Sequence, residues 1–395
     1  GGGSGATGPC GTLGVYADDF ADGVNEAGWY VGSSGGATIG ESNGELVITL
    51  PNQGSSWSGW SSWYLTDLRS DRVSLEVPTM ANVNTDATVF LHLILDSDNF
   101  LILSQQAGTL YFTAFLSNAW TQFGSTTYDP TAHRFWQIRE QGGTVYWETS
   151  SDGATYVEGA SAPVASLFDV DAVQLEFGAS TSGTETNPGE VHFDNLNGGP
   201  PARASWCPTS TLVDDFDDGL RTRDWWNSYE GGGCDFDETG GEIVFTLSGS
   251  AIIDCAYLSG SAFDLTESSV SVETGSMPTS EPNAYTFFSV QVDSDNAVEF
   301  VVDGDQLITR AEVAGNWQHA QSVLFSTTDH RFLRIREQGG TVYWETSADG
   351  ASWTPRNQAP TPIPLTKLQI VLGAGKSATG PVNGTAAFDN LNVLP

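Results

Sequence analysis

Short stretches in which apolar and polar side chains alternate, broken by Gly, Asn and Asp, run through most of the chain. "VSLEV" (Val73–Val77) and "LHLILDSDNFLIL" (Leu91–Leu103) alternate around turn residues, the pattern of half-buried strands. In "RFWQIREQGGTVYWETSSDGATY" (Arg134–Tyr156), the Gly142-Gly143 and Asp152-Gly153 pairs are hairpin signals and predict a three-stranded meander. Strand alternation there puts Trp136 and Ile138 on one face and Phe135, Gln137 and Arg139 on the other. No long segment shows a helical period. The expected fold is all-β: two tandem antiparallel β-sandwiches.

"Tandem" follows from an internal repeat. "HRFWQIREQGGTVYWETSSDGATY" (His133–Tyr156) returns as "HRFLRIREQGGTVYWETSADGASW" (His330–Trp353), and "GELVITL" from Gly44 returns as "GEIVFTL" from Gly241, both offset by 197 residues. "DDFADG" from Asp18 matches "DDFDDG" from Asp214, and "FDNLN" occurs from Phe193 and again from Phe388. Each copy is long enough for one β domain with its own core. The expected layout is a Gly-rich leader over 1–11, a first domain over 12–198, a linker over 199–208 and a second domain over 209–395. The Gly/Ser start without Met reads as a mature form left after cleavage, of the kind that tethers lipid-anchored proteins.

Charge and cysteines narrow the setting. A net charge of −35, with 14 basic residues in all, argues against nucleic acid or anionic lipid as partner. No apolar run is long enough to span a membrane. Such acidity suits a salty medium or a divalent-cation binder. Cys234 and Cys255 flank one expected strand of the second copy, and both are absent from the first, where Ala37 and Ser58 stand, as expected of a bonded pair. Cys10 and Cys207 precede the two DDF motifs. They are expected to pair with each other or with cysteines of a neighbouring molecule. An oxidising, extracellular or cell-surface location follows as the expectation.

The "DDFxDG" opening, the meander ending "YWETSxDGxxW/Y" and the closing "FDNLN" resemble the concanavalin A-like lectin/glucanase jelly roll, in its laminin-G-like and carbohydrate-binding versions from secreted bacterial proteins. The resemblance covers both copies almost end to end and bears on fold more than on function. It implies a structural calcium where the first and last strands meet, held by Asp18, Asp19 and Asp22 with Asp194 and Asn195. The second copy's set is Asp214, Asp215 and Asp218 with Asp389 and Asn390. The alternative is that these acids cap turns. "DSDN" (Asp96–Asn99, Asp293–Asn296) reads more simply as a tight turn than as a calcium loop. Neither copy has the paired-acid E-x-D-x-x-E motif of the family's glucanases, and no Ser-His-Asp order or zinc-type histidine cluster occurs. The chain is therefore expected not to be an enzyme.

"GSSWSGWSSWYLTDL" (Gly54–Leu68) packs three tryptophans and a tyrosine into eight residues. At the repeat offset Trp60 meets Tyr257, whereas Trp57 meets Asp254, Trp63 meets Gly260 and Tyr64 meets Ser261. The common fold therefore does not require aromatics at those three places. Trp29/Trp226, Trp120/Trp317 and Trp147/Trp344 recur in both copies and are assigned mostly to the core. Strand geometry turns Trp60 inward and Trp57 and Trp63 outward. Exposed aromatics bordered by Ser, Asn and Gln suit stacking on sugar rings, a protein contact, or cover by a loop of their own copy. Arg139 and Trp147 (Arg336 and Trp344) form a candidate ligand face, with a cross-strand ladder as the preferred reading. Two functions stay open. One is a lectin-like protein that binds polysaccharide or acts as an adhesin, using Trp57, Trp60, Trp63 and Tyr64. The other is a structural subunit of an extracellular fibre, coat or matrix, joined to its own copies or other surface proteins through the aromatic patch and the cysteines.

Overall fold

A computed structural model describes residues 11–394 except 25–27, 53, 184, 227, 279–282 and 380–383. The chain divides into two compact units, Gly1–Ser205 and Trp206–Pro395. Each is a sandwich of two antiparallel sheets.

In the first unit, a front sheet runs in spatial order Trp29–Ser34, Gly54–Ser62, Gln174–Gly183, Thr88–Asp96, Asn99–Gln106, Thr109–Leu116 and Ala119–Thr127. The back sheet runs Val157–Pro163, Thr144–Ser150, Phe135–Gln141, Arg72–Thr79, Glu190–Asp194, Glu45–Thr49 and Thr38–Ser42. The core lies between the sheets because every second side chain points there. Val73, Leu75, Trp136, Ile138, Val145 and Trp147 come from the back sheet, and Leu91, Leu103, Phe112, Leu175 and Phe177 from the front; all are buried. Phe135–Gln141, Thr144–Ser150 and Val157–Pro163 form the meander.

The second unit repeats this plan with one strand fewer in front: Ile253–Leu258, Gln369–Lys376, Ala284–Asp293, Asn296–Asp303, Gln306–Val313 and Asn316–Leu324. Where the first unit has Trp29–Ser34, the second makes only a single bridge, Tyr229 to Ala256. Cys234 and Cys255 form a disulfide (S–S 2.05 Å). The pairing expected of Cys10 lies outside the described residues.

The segment expected to be a linker is in part docked on the first unit. The backbone N–H groups of Arg203 and Ala204 donate to the Gly14 carbonyl, and Arg203 is ion-paired with Asp71 at 2.9 Å. Two core assignments are corrected. Trp225, not Trp226, fills the second core, stacked on Tyr257 at 4.5 Å, because this part of the second copy runs at an offset of 196 residues, as its DDF motif does, one less than the rest of the repeat. Trp226 is exposed under the Arg223 guanidinium. Trp120 and Trp317 are exposed as well, since both sit on the outer side of the strand that ends the front sheet.

Candidate functional site

The outward-facing positions of the first unit's front sheet are unusually apolar for a solvent side. The Thr88–Asp96 strand, "TVFLHLILD", carries hydrophobic residues on both faces. Val89, Leu91 and Leu93 enter the core, leaving Phe90 and His92 on the other side. Cross-strand registry places Phe90 beside Ser104 and Tyr111, and Ile94 beside Phe100, Phe115 and Trp120. The rings make a continuous track. Phe90 and His92 stack at 4.2 Å, His92 lies 5.6 Å from Phe100, and Phe100 meets Phe115 (5.1 Å) and Trp120 (6.1 Å). At the other side of the sheet, Trp57 lies over Gly32 of the neighbouring strand so closely that a Cβ there would enter the indole. Phe90 likewise rests against Gly178. Together these residues border an open cleft of about 800 Å³. Polar edges come from Thr88, Ser180, Gln106 and Gln122. His92 is 3.3 Å from Glu176, which also accepts the Ser61 hydroxyl at 2.8 Å, so a carboxylate borders the track.

Of the four aromatics singled out in Gly54–Leu68, the structure brings only Trp57 to this cleft. Trp60 is in the core, against Phe20 and Trp29. Trp63 follows the end of the strand and is exposed beside Tyr30, at 6.5 Å. Tyr64, expected at the surface, is buried: the chain leaves the sheet after Ser62, so strand alternation no longer applies. Phe90, His92, Phe100, Tyr111 and Trp120 were not singled out by sequence reasoning. The two-sided hydrophobicity of Thr88–Asp96 was the available signal.

The same face of the second unit carries different chemistry. Phe287, the counterpart of Phe90, lies over Gly373, and Tyr285 lies against Gly375. Asp254 stands at the Trp57 position. Its Oδ2 accepts the Tyr229 hydroxyl at 2.7 Å. Glu299 and Arg310 form a cross-strand ion pair where the first unit has Ile102 and Thr113, and the Arg310 guanidinium lies 3.5 Å from the centre of the Trp317 ring. Burial holds the Glu299 and Glu312 carboxyls above the ordinary glutamate range. The cleft here measures about 330 Å³.

The Arg139 face of the back sheet is a cross-strand ladder. Arg139 donates to Glu148 through Nε (3.0 Å) and Nη2 (2.7 Å), Gln137 joins the same carboxylate, and the Arg139 guanidinium covers Tyr146 at 4.2 Å. Arg336 and Arg334 hold Glu345 in the same way. The accompanying Trp147 and Trp344 are core residues.

The ten residues expected to ligate calcium do not form one donor set per copy. The first and last strands do meet, Asp18 bridging to Leu196 and Asp214 to Leu391. Asp18 and Asp22, however, group with Glu41, whereas Asp19 groups with Asp194, Glu45 and Glu76. In the second copy Asp214 and Asp218 group with Glu238, and Asp389 with Glu273, Glu242 and Asp217. Many of the oxygens are engaged as turn caps. Asp18 accepts from Phe20 N–H (2.7 Å), Asp22 from Val24 (2.8 Å), Asp215 from Asp217 (3.3 Å) and Asp218 from Leu220 (2.8 Å). Asn195 and Asn390 turn their amide nitrogens, which are donors and not metal ligands, toward Glu76 and Glu273. Among the described residues no group of three or more His, Cys, Asp or Glu side chains is arranged to hold a metal ion. The residues do not fit the calcium site that the resemblance implied. Burial, reinforced by neighbouring carboxylates, pushes Glu41 and Glu238 up to about 7 and Asp389 up to about 6. The "DSDN" segments are turns, with Asp96 and Asp293 each accepting from the residue two places on at 2.8 Å.

No protein-family model matches the chain, and no curated protein does. Solved structures do share its sandwich. The catalytic domain of an endo-1,3-beta-glucanase (laminarinase) from Thermotoga petrophila RKU-1 is 11% identical, with a TM-score of 0.38, over 46% of this chain and 95% of that one. A beta-1,3-1,4-glucanase (lichenase) from a mouse hindgut metagenome is 14% identical, with a TM-score of 0.36, over 46% and 96%. An endo-beta-1,3-glucanase from Pyrococcus furiosus is 12% identical, with a TM-score of 0.36, over 46% and 92%. The expectation that the chain is not an enzyme is accordingly withdrawn, because many of the solved proteins that share its fold are glucanases. At this identity the likeness concerns the fold alone: this chain is a pair of all-β sandwiches of the jelly-roll kind that lectins and glucanases use.

Proposed function

We propose that the protein binds polysaccharide on the aromatic outer face of its first unit. The observation that carries this reading is the track of His92, Phe100 and Trp120, backed by the buried Phe90, with Trp57 on the opposite side of one open cleft. A sugar ring offers an apolar face of C–H groups and a rim of hydroxyls. Flat rings bordered by Ser, Thr and Gln match both, and an elongated open cleft suits a chain more than a single sugar. The disulfide supports an extracytoplasmic setting for this binding.

The test uses the full chain. Soluble neutral glucans are titrated calorimetrically into the wild type and into Trp57→Ala and Trp120→Ala variants, and the same mixtures are assayed for newly released reducing ends. Each substitution is expected to weaken binding about tenfold, near 1.4 kcal/mol. Neutral-glucan binding that is indifferent to both substitutions would overturn the reading.

A further inference from the structure

We propose that the equivalent face of the second unit is a separate site for a sugar that carries a protonated amino group, held at Asp254. This rests on the reading of the first unit's face as a sugar platform. The platform itself is kept in the second unit by different residues: Tyr285 and Phe287, 6.1 Å apart, lie on Gly375 and Gly373 of the adjoining strand. What changes is the charge beside it. The exchange of Trp57 for Asp254 puts a carboxylate where the first unit has an indole. Asp254 is exposed, and the Tyr229 hydroxyl fixes its Oδ2 at 2.7 Å. Tyr285 approaches from its other side, both residues crowding the same Gly375.

A carboxylate framed by two tyrosine rings is the arrangement that attracts an ammonium group. The carboxylate gives an ammonium group a charge-assisted hydrogen bond, and the neighbouring Phe287 takes the sugar's apolar face. The rest of the cleft has the same sign. Glu299 and Glu312 face it against a single cation, Arg310, which is already held by Glu299 and stacked on Trp317. A second anion would be repelled there, and a neutral sugar would offer Asp254 hydroxyl hydrogen bonds but no opposite charge. An amino sugar supplies one.

The experiment titrates the full-length protein, at about 150 mM salt to screen its general negative charge, with a glucosamine oligomer and with the N-acetylated oligomer of the same length. The wild type is expected to bind the free-amine oligomer more tightly than the acetylated one. Asp254→Asn should weaken the free-amine oligomer at least tenfold, and Tyr229→Phe should do so to a smaller extent. Asp86→Asn, which removes one exposed charge from the first unit, should leave this binding unchanged. Equal binding of the two oligomers by the wild type, or an Asp254→Asn loss no larger than that of Asp86→Asn, overturns the proposal. Neutral-glucan binding is measured on the same samples. Its loss in Trp57→Ala, with free-amine binding intact, isolates the first site; its absence altogether, with Asp254-dependent binding of the amine, would sink the first reading and leave this one standing.

Discussion

The two front sheets differ on the side that faces water and agree on the side that faces the core. Inward, Leu110 is matched by Leu307, Ala114 by Ala311 and Leu175 by Leu372, all buried. Outward, Trp57, His92, Phe100 and Ile102 become Asp254, Ser289, Ala297 and Glu299. Core positions are constrained by packing, where a misfitting methylene is felt throughout the neighbourhood. Outer positions are constrained only by what they meet. Aromatic rings nevertheless lie against glycine in both units, over Gly32 and Gly178 in one and Gly373 and Gly375 in the other. The difference teaches that the recurring feature of this face is a flat bed for rings, and that charge and ring position are what vary.

The comparison can be broken most forcefully through stability. Cys234 and Cys255, 21 residues apart in sequence, have no counterpart in the first unit. Replacing both with Ser should lower the stability of the second unit by about 3 kcal/mol, by loosening the constraint on its unfolded chain. The first unit should not respond. Calorimetric unfolding of the full chain reads this as a shift in one transition; equal shifts in both would show that the units are not independent.

A smaller effect sharpens the bed itself. Gly32→Ala keeps Trp57 but drives a methyl group into its ring. The backbone at Gly32 is ordinary extended strand, so the fold should survive while glucan binding falls several-fold, less than for Trp57→Ala. Unchanged binding would mean that the ring's lie is irrelevant and only its presence counts.

The smallest effect concerns a feature the units share. Glu41 and Glu238 have folded-state values of about 7 against an ordinary 4.5, raised by burial first and then by neighbouring carboxylates. A raised acid favours the folded state when protonated. Its contribution is present in full below about pH 4.5 and is lost as pH rises through about 7. Glu41→Gln and Glu238→Gln should therefore change little at pH 4 and raise the melting temperature by about 2 °C or more at pH 8. Glu238 should respond more, being the more deeply buried. A Gln variant that is destabilised at pH 8 would contradict the assignment of these groups as strained anions.

Much of the fold was legible because burial imposes alternation. Trp136 and Ile138 against Gln137 and Arg139 needed no more than a period of two. The site was legible only in part. Comparison of the copies singled out Trp57, which the structure places at the cleft, as a residue the common fold does not need. The same logic misplaced Trp120 and Trp317: recurrence was taken as core, yet both copies keep the ring on the outer side of an end strand. Tyr64 was misread because alternation was carried past Ser62, where the strand stops. The calcium set failed at Asp18 and Asp19. Neighbouring residues in extended chain point to opposite sides, so these two could not serve one ion as simply as their adjacency suggested. Glu41, Glu45 and Glu76 complete the actual clusters and recur as Glu238, Glu242 and Glu273. That recurrence was the signal left unused.

A ring that rests on a glycine meets flat backbone beneath it, with no side chain below to be reshaped. It can be exchanged or moved two strands across the sheet, as from Trp57 to Tyr285, without repacking anything beneath. A duplicated domain with such a surface is an economical starting point for divergence: one copy can keep its ligand while point changes in the other explore new ones, and the core need not follow.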